Sequence, residues 1–202
     1  MKHEYSKDHY GKKARQEGNV SRAYYKLREI DNRFRVFRKS DFVLDIGCYP
    51  GGWLAYSKDK ASFVAGVDIK NVSYKAENTV FIRGDIYDDN TIEQLKEAVK
   101  SKGKENYNVV MSDAMVHTTG SKELDSYRSS ALIFRIISLL PQLLRQDGCL
   151  AFKIFQGEEF NEVLNEVKKL FEKVRCYKPK SSRQRSREMY VICKGYKLNE
   201  KN

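Results

Sequence analysis

No apolar run in this sequence approaches the ~18 residues a membrane-spanning helix requires, which argues against a helical membrane protein. Residues 1–10 are charged and lack the apolar centre of a secretory signal, so the expected location is intracellular and cytoplasmic. Only three histidines occur, and the four cysteines, Cys48, Cys149, Cys176 and Cys193, form no C-x-x-C pair. Neither a zinc site nor a disulfide framework is indicated, no metal is expected, and the cysteines read as core filler. Internal repeats and low-complexity tracts are also missing. One absence is local. Gly47 opens a glycine-rich turn, but the place of the second glycine of a dinucleotide fingerprint is held by Tyr49, whose side chain would obstruct a pyrophosphate.

What is present describes a globular protein. The 202 residues are 41% hydrophobic, enough for one domain with a substantial core. The expected organisation is a single domain over 1–202, with a basic arm over about 1–20 and a short tail over about 197–202. Lysine and arginine total 38 against 27 acids, and the formal charge of +11 favours a polyanionic partner. After the arm, Tyr24, Leu27, Ile30 and Phe34 recur at helical spacing within 21–37. Strands are expected at 42–46, 63–67, 79–82, 108–112, 149–155 and 189–193, with a weaker one at 174–177. Helices fall between them. Asn90 and Glu93 read as a cap-and-return pair, 131–144 as a second helix, and Phe160, Val163, Leu164, Val167 and Phe171 as the stripe of a third. Such alternation implies an α/β, Rossmann-like, mostly parallel sheet with helices on both faces. The polar stretch 178–188 has no helical pattern, so the final strand is expected to return antiparallel.

The segment 42–53, FVLDIGCYPGGW, is an apolar strand emptying into a glycine turn, and Asp68 closes the next strand. Gly47, Gly51 and Gly52 would let the backbone turn sharply beside a ligand, and Asp68 could accept from ribose hydroxyls. A cofactor with a ribose but no phosphate fits this pattern, and S-adenosylmethionine is the candidate. Asp85, followed by Ile86, and Asp113 stand at two further strand tips, where ligands of such sheets sit. Acids there can also cap helices. Lys153 interrupts the apolar run 150–155 and must be paired or functional: it could serve as a general base or sit in a buried ion pair.

Taken in order, Ser21-Arg22-Ala23-Tyr24-Tyr25-Lys26-Leu27, Asp45-Ile46-Gly47 through Gly51-Gly52-Trp53, Ser112-Asp113, Phe152-Lys153-Ile154-Phe155 and Ser186-Arg187-Glu188-Met189-Tyr190 resemble the FtsJ/RrmJ family of ribosomal RNA ribose 2′-O-methyltransferases. The match runs from about residue 7 to about residue 193, and the ordered set is far more specific than any one motif. The resemblance implies a SAM-dependent methyltransferase fold, with Lys26, Asp113, Lys153 and Glu188 as the catalytic tetrad. It also implies Gly51, Trp53, Asp68, Asp85 and Asp113 as cofactor contacts, which Gly47, Gly52 and Ile86 complete into the expected pocket. The chain departs from the family pattern at Cys48 and Tyr49 and, after Asp113, at Met115, Val116 and His117.

RNA is the polyanion this resemblance implies. Lys2, Lys7, Lys12, Lys13, Arg15 and Arg22 flank Lys26, and Lys178, Lys180, Arg183, Arg185 and Arg187 flank Glu188, so both basic ends would converge on the site as a phosphate groove unless they only solvate the surface. Tyr5, Tyr10, Tyr24 and Tyr25 are candidate base-stacking residues, Tyr10 foremost, or else core aromatics. The leading expectation is a monomeric enzyme acting on uridine in large-subunit ribosomal RNA, naked or in an assembled subunit. The alternatives are a transfer-RNA anticodon-loop 2′-O-methyltransferase and a non-catalytic RNA-binding assembly factor.

Overall fold

Residues 42–46 are all buried, as a strand must be when other layers cover both of its faces. The computed structural model describes residues 9–115, 119–183 and 186–198. In chain order its elements are α1 (His9–Gln16), α2 (Ala23–Phe34), β1 (Phe42–Ile46), α3 (Gly52–Ser57), β2 (Phe63–Asp68) and β3 (Thr79–Arg83). There follow α4 (Asp89–Lys100), β4 (Tyr107–Ser112), α5 (Lys122–Leu143), β5 (Leu144–Phe155), α6 (Phe160–Leu170), β6 (Phe171–Tyr177) and β7 (Glu188–Tyr196).

The strands form one seven-stranded sheet of order β3-β2-β1-β4-β5-β7-β6. The contiguous strands β3 to β5 are parallel, and β7 runs antiparallel to both of its neighbours, β5 and β6. The α/β class, the mostly parallel sheet and the reversed final strand therefore stand as the sequence indicated. Alternation along β1 explains the layers. Phe42, Leu44 and Ile46 pack with Ile92 and Leu95 of α4, Ile133 and Ile136 of α5 and Val163 and Val167 of α6. Val43 faces the other way, into a cluster with Leu27 and Ile30 of α2 and Trp53 and Leu54 of α3. Strand order reverses between β1 and β4, so the crevice that opens there lies beyond their carboxyl ends.

Several boundaries differ from expectation for identifiable reasons. Helix α4 is capped by Asp88, whose carboxylate accepts from Asn90 N at 3.2 Å and Thr91 Oγ1 at 3.1 Å, so the Asn90–Glu93 cap pair is corrected. Asp88 has the extended backbone a cap requires, and Glu93 instead pairs with Lys96 at 2.7 Å. Helix α5 begins nine residues before the expected 131, at Lys122, with Ser121 accepting from Leu124 N. Its first turns carry no apolar stripe because Ser126, Ser129 and Ser130 fill the buried positions. Part of the arm is helical, with Ala14 buried in α1. Cys48, Cys149 and Cys193 are buried as expected, but Cys176 is exposed because it lies on the edge strand β6.

Helix α3 was not visible in the sequence pattern, yet it fixes how closely α2 approaches. A Cβ at Gly52 would overlap Ser21 Oγ and press Ala23 Cβ and Tyr24 N at 3.3 Å. Gly52→Ala is expected to cost about 1–3 kcal/mol through this overpacking, read as a lower midpoint in urea unfolding.

Candidate active site

The antiparallel register of β5 and β7 is the first cause of the site. Lys153 lies opposite Tyr190 and Phe155 opposite Glu188, so Lys153, Tyr190 and Glu188 project from one face at the carboxyl end of β5. Ser112 pairs with Phe152, which sets Asp113, the next residue, beside Lys153. Helix α2 lies on that face, with Tyr25, Lys26, Leu27 and Ile30 buried, and Lys26 points inward where helical periodicity calls for an apolar residue. Trp53 of α3 holds this helix by donating its indole N–H to the Ala23 carbonyl at 3.1 Å.

These side chains form one continuous chain of contacts. Glu188 Oε1 is 2.9 Å from Lys26 Nζ, which donates to the Tyr190 hydroxyl at 2.9 Å. Tyr190 donates to Asp113 Oδ1 at 2.7 Å, and the same oxygen is 3.1 Å from Lys153 Nζ. Lys153 also donates to the Asp113 carbonyl at 2.6 Å. Lys26, Lys153 and Glu188 are 6%, 5% and 8% exposed, so these charges are screened by one another rather than by water. Burial pushes the Asp113 and Glu188 carboxyls up, but the neighbouring ammonium groups outweigh it and hold both below the usual range. Burial, followed by Asp113 and Glu188, drives the Tyr190 phenol far above its ordinary value. Tyr190 therefore keeps its proton and hands it only toward Asp113.

The chain of charges opens into a cavity of about 970 Å³ that also reaches the tips of β1, β2 and β3. Gly47, Asp68, Asp85, Ile86 and Asp113 line it, as do all four expected catalytic residues. Gly47 has φ +75°, and a Cβ there would overlap Ala114, so only glycine lets the β1 turn lie this close to the end of β4. Asp68 accepts from Tyr49 N at 2.9 Å and Lys70 N at 2.8 Å, which orients the carboxylate and leaves lone pairs for ligand hydroxyls. Asp85 is turned by accepting from Tyr87 N at 3.0 Å. Gly51, Gly52 and Trp53 do not line this cavity, but Gly52 and Trp53 line a small recess shared with Asp45, Gly47 and Asp113, and all three pack α3 against its neighbours.

Asp45 was not singled out in the sequence, although a charged residue inside an apolar strand is the same signal that marked Lys153. It is fully buried on β1, neither carboxylate oxygen has a hydrogen-bond partner among the described residues, and it faces the small recess shared with Gly47 and Asp113. Burial, then Asp113 and Asp68, push its carboxyl far above the usual range. Asp68, Asp85 and Asp113 around one end of the cavity suit a ligand that brings positive charge and hydroxyl donors, and the Asp45 oxygens are left wanting a hydrogen-bond donor. Tyr190 was also missed, though it lies two residues after Glu188 and so on the same strand face.

The basic residues divide. Arg22 and Arg183 line the cavity, and Lys180, three residues before Arg183, is exposed and not part of the lining. Arg187 donates to the carbonyls of Gln156 and Lys122, bracing β7 against α5. Lys12, Lys13 and Arg15 lie on α1, away from the cavity lining, and Lys13 sits 5.6 Å over the Tyr25 ring. The Tyr10 ring packs on Tyr25 at 5.6 Å rather than lining the cavity. Lys2, Tyr5, Lys7, Val116, His117 and Arg185 lie outside the described residues.

The FtsJ-like methyltransferase family model matches residues 19–196. Ribosomal RNA large subunit methyltransferase E of Methanothrix thermoacetophila is 39% identical over 189 residues, spanning 93% of this chain and 72% of that protein. The protein of that name from Pelagibacter ubique is 37% identical over 190 residues, spanning 93% of this chain and 91% of its own. A crystal structure of a ribosomal RNA methyltransferase from Plasmodium falciparum superposes with a TM-score of 0.76 at 32% identity, covering 88% of this chain and 98% of that one.

Asp113 and Glu188 titrate below their unfolded values of about 3.9 and 4.3, so the stability they contribute is present above about pH 4 and is lost as pH falls through the folded values. Glu188→Gln is expected to be less stable than the wild type by about 3–5 kcal/mol at neutral pH, because Lys26 loses its partner. It should then lose less on acidification than the wild type does, read by urea unfolding at neutral pH and at about pH 3.

Proposed function

The chain belongs to the FtsJ-like methyltransferase family, and on that premise we propose that it transfers a methyl group from S-adenosylmethionine to a ribose 2′-hydroxyl of large-subunit ribosomal RNA, a uridine in the leading reading. The observation that carries this reading is the buried chain Glu188–Lys26–Tyr190–Asp113–Lys153 ending in the cavity ringed by acids. When bound, S-adenosylmethionine supplies a methyl on a positively charged sulfur that needs no further activation. The residues that would hold it fit its chemistry: Asp68 would accept from the ribose hydroxyls, Asp85 and Ile86 would border the base, and Asp113 would favour the positive charge.

The chain's remaining task is to align the target hydroxyl and ease the departure of its proton. Lys153 Nζ has three N–H donors, two of them committed to the Asp113 carboxylate and carbonyl. The third, which has no partner among the described residues, can meet the ribose 2′-oxygen and stabilise the charge that develops there as its proton passes to solvent. Asp113 holds Lys153 in place, Tyr190 ties Asp113 to Lys26, and Lys26 with Glu188 orients the ribose. Arg22 and Arg183 on the cavity rim, with Lys180, would engage the flanking phosphates. The reading takes residues 1–202 as one methyltransferase domain acting in the cytoplasm; no helix among the described residues is long and apolar enough to cross a membrane.

Ribose methylation mapped across ribosomal and transfer RNA, in cells with and without the gene, should show one large-subunit site lost. Wild-type protein should restore it, and Lys153→Ala should not while still binding S-adenosylmethionine. Loss confined to transfer RNA would overturn the ribosomal reading, and full restoration by Lys153→Ala would overturn the role of that lysine. RNA binding should also weaken steeply with salt, and Arg183→Ala should reduce the slope of log K against log salt by about 1.

A further inference from the structure

The connection between β6 and β7 carries Arg183, which lines the cavity, and the exposed Lys180, and one carboxylate outside the tetrad holds it. Glu29 on α2 accepts from Lys180 N at 2.7 Å through one oxygen and from Ser181 N at 3.0 Å through the other. The Tyr177 hydroxyl lies 3.5 Å from the first of these oxygens. A charged acceptor that satisfies two successive backbone donors fixes the direction of the chain at that point. Beneath it Pro179, Ser181 and Ser182 are buried, so the connection is seated on the body of the protein while Lys180 and Arg183 face out. Across its neck, Lys178 Nζ donates to the Ser186 carbonyl at 2.7 Å.

Glu29 stands three residues after Lys26, on the same face of α2. Lys26 grips Glu188, where the connection enters β7, and Glu29 grips residues 180 and 181, near where it leaves β6. Both ends of the basic segment are thus tied to the helix that supplies a tetrad lysine. We propose that Glu29 is a positioning residue for the RNA substrate, setting Arg183 and Lys180 in register with the tetrad without touching the methyl donor. The proposal rests on RNA being the substrate of this site. Aspartate is one methylene too short to span the gap, and glutamine offers an N–H to one of two backbone donors, so neither replaces the fork.

The test uses large ribosomal subunits from cells lacking the gene as substrate, with wild type, Glu29→Gln, Glu29→Ala, Arg183→Ala and Glu29→Gln/Arg183→Ala. Loss of one hydrogen bond to a charged group converts to a rise in KM for subunits of roughly tenfold in Glu29→Gln. Its kcat and its affinity for S-adenosylmethionine should change less than about twofold, well inside that effect. Arg183→Ala should cost clearly less in the Glu29→Gln background than in the wild type, because the arginine is already out of register. An unchanged KM, or additive effects of the two substitutions, would overturn the proposal. So would loss of S-adenosylmethionine binding in both Glu29 variants, which would make the role one of folding alone. If the wild type methylates neither these subunits nor any RNA, the functional reading itself fails and the inference goes with it.

Discussion

Two ammonium groups and two carboxylates, removed from water and joined through one phenol, are the interaction on which this structure turns. Each charge alone would be costly to bury, and each is tolerated because its partner sits within 3.1 Å. The tolerance depends on placement. Lys153 and Tyr190 meet because β5 and β7 are antiparallel in one register, and a slip of β7 by a single residue would turn Tyr190 and Glu188 to the face opposite Lys153. Lys26 joins them only if α2 lies flat on that face, which the bare flank of Gly52 and the Trp53 bond to Ala23 permit. Packing and chemistry are here the same constraint, since the elements that bury the charges are the ones that align them.

The charges are also sorted in space. Asp68, Asp85 and Asp113 line the strand-tip side of the cavity, with Lys70 beside them, while Arg22 and Arg183 stand at its rim. A cationic donor is favoured below and a polyanion above, so the two reactants are steered to different walls of one space. The net charge of +11 describes neither wall. Much of the excess is spent away from the site, as with Lys13 over Tyr25, or on bracing, as with Arg187 across β7 and α5.

Fold class was legible because its signals are local. The runs that became β1, β2 and β4 are apolar enough to be recognised singly, and the polar stretch before residue 188 left no room for a crossover helix. What escaped notice had no local signal. The front of α5 is polar on paper because buried serines stand where apolar residues would announce a helix, and α3 is six residues of glycine, aromatic and small side chains with too few turns to show a period. Asp88 rather than Asn90 capped α4 because the choice rests on backbone angles that composition does not reveal. Tyr190 and Asp45 could have been found by the reasoning that found Lys153: a polar group on a buried strand face must answer for its place.

By itself the sequence determined which residue types were available and in what order: an alternating α/β chain, a glycine turn unsuited to pyrophosphate, acids at strand tips and a lysine where a strand should be apolar. Those follow from side-chain periodicity and the cost of burying charge, which act over a few residues. Only the tertiary structure decided that Glu188, Lys26, Tyr190, Asp113 and Lys153 share one line of contacts, that Trp53 ties down the helix carrying Lys26, and that Glu29 grips the basic connection. Contacts between residues some 30 to 160 positions apart are set by strand register and helix docking, and these are properties of the assembled sheet.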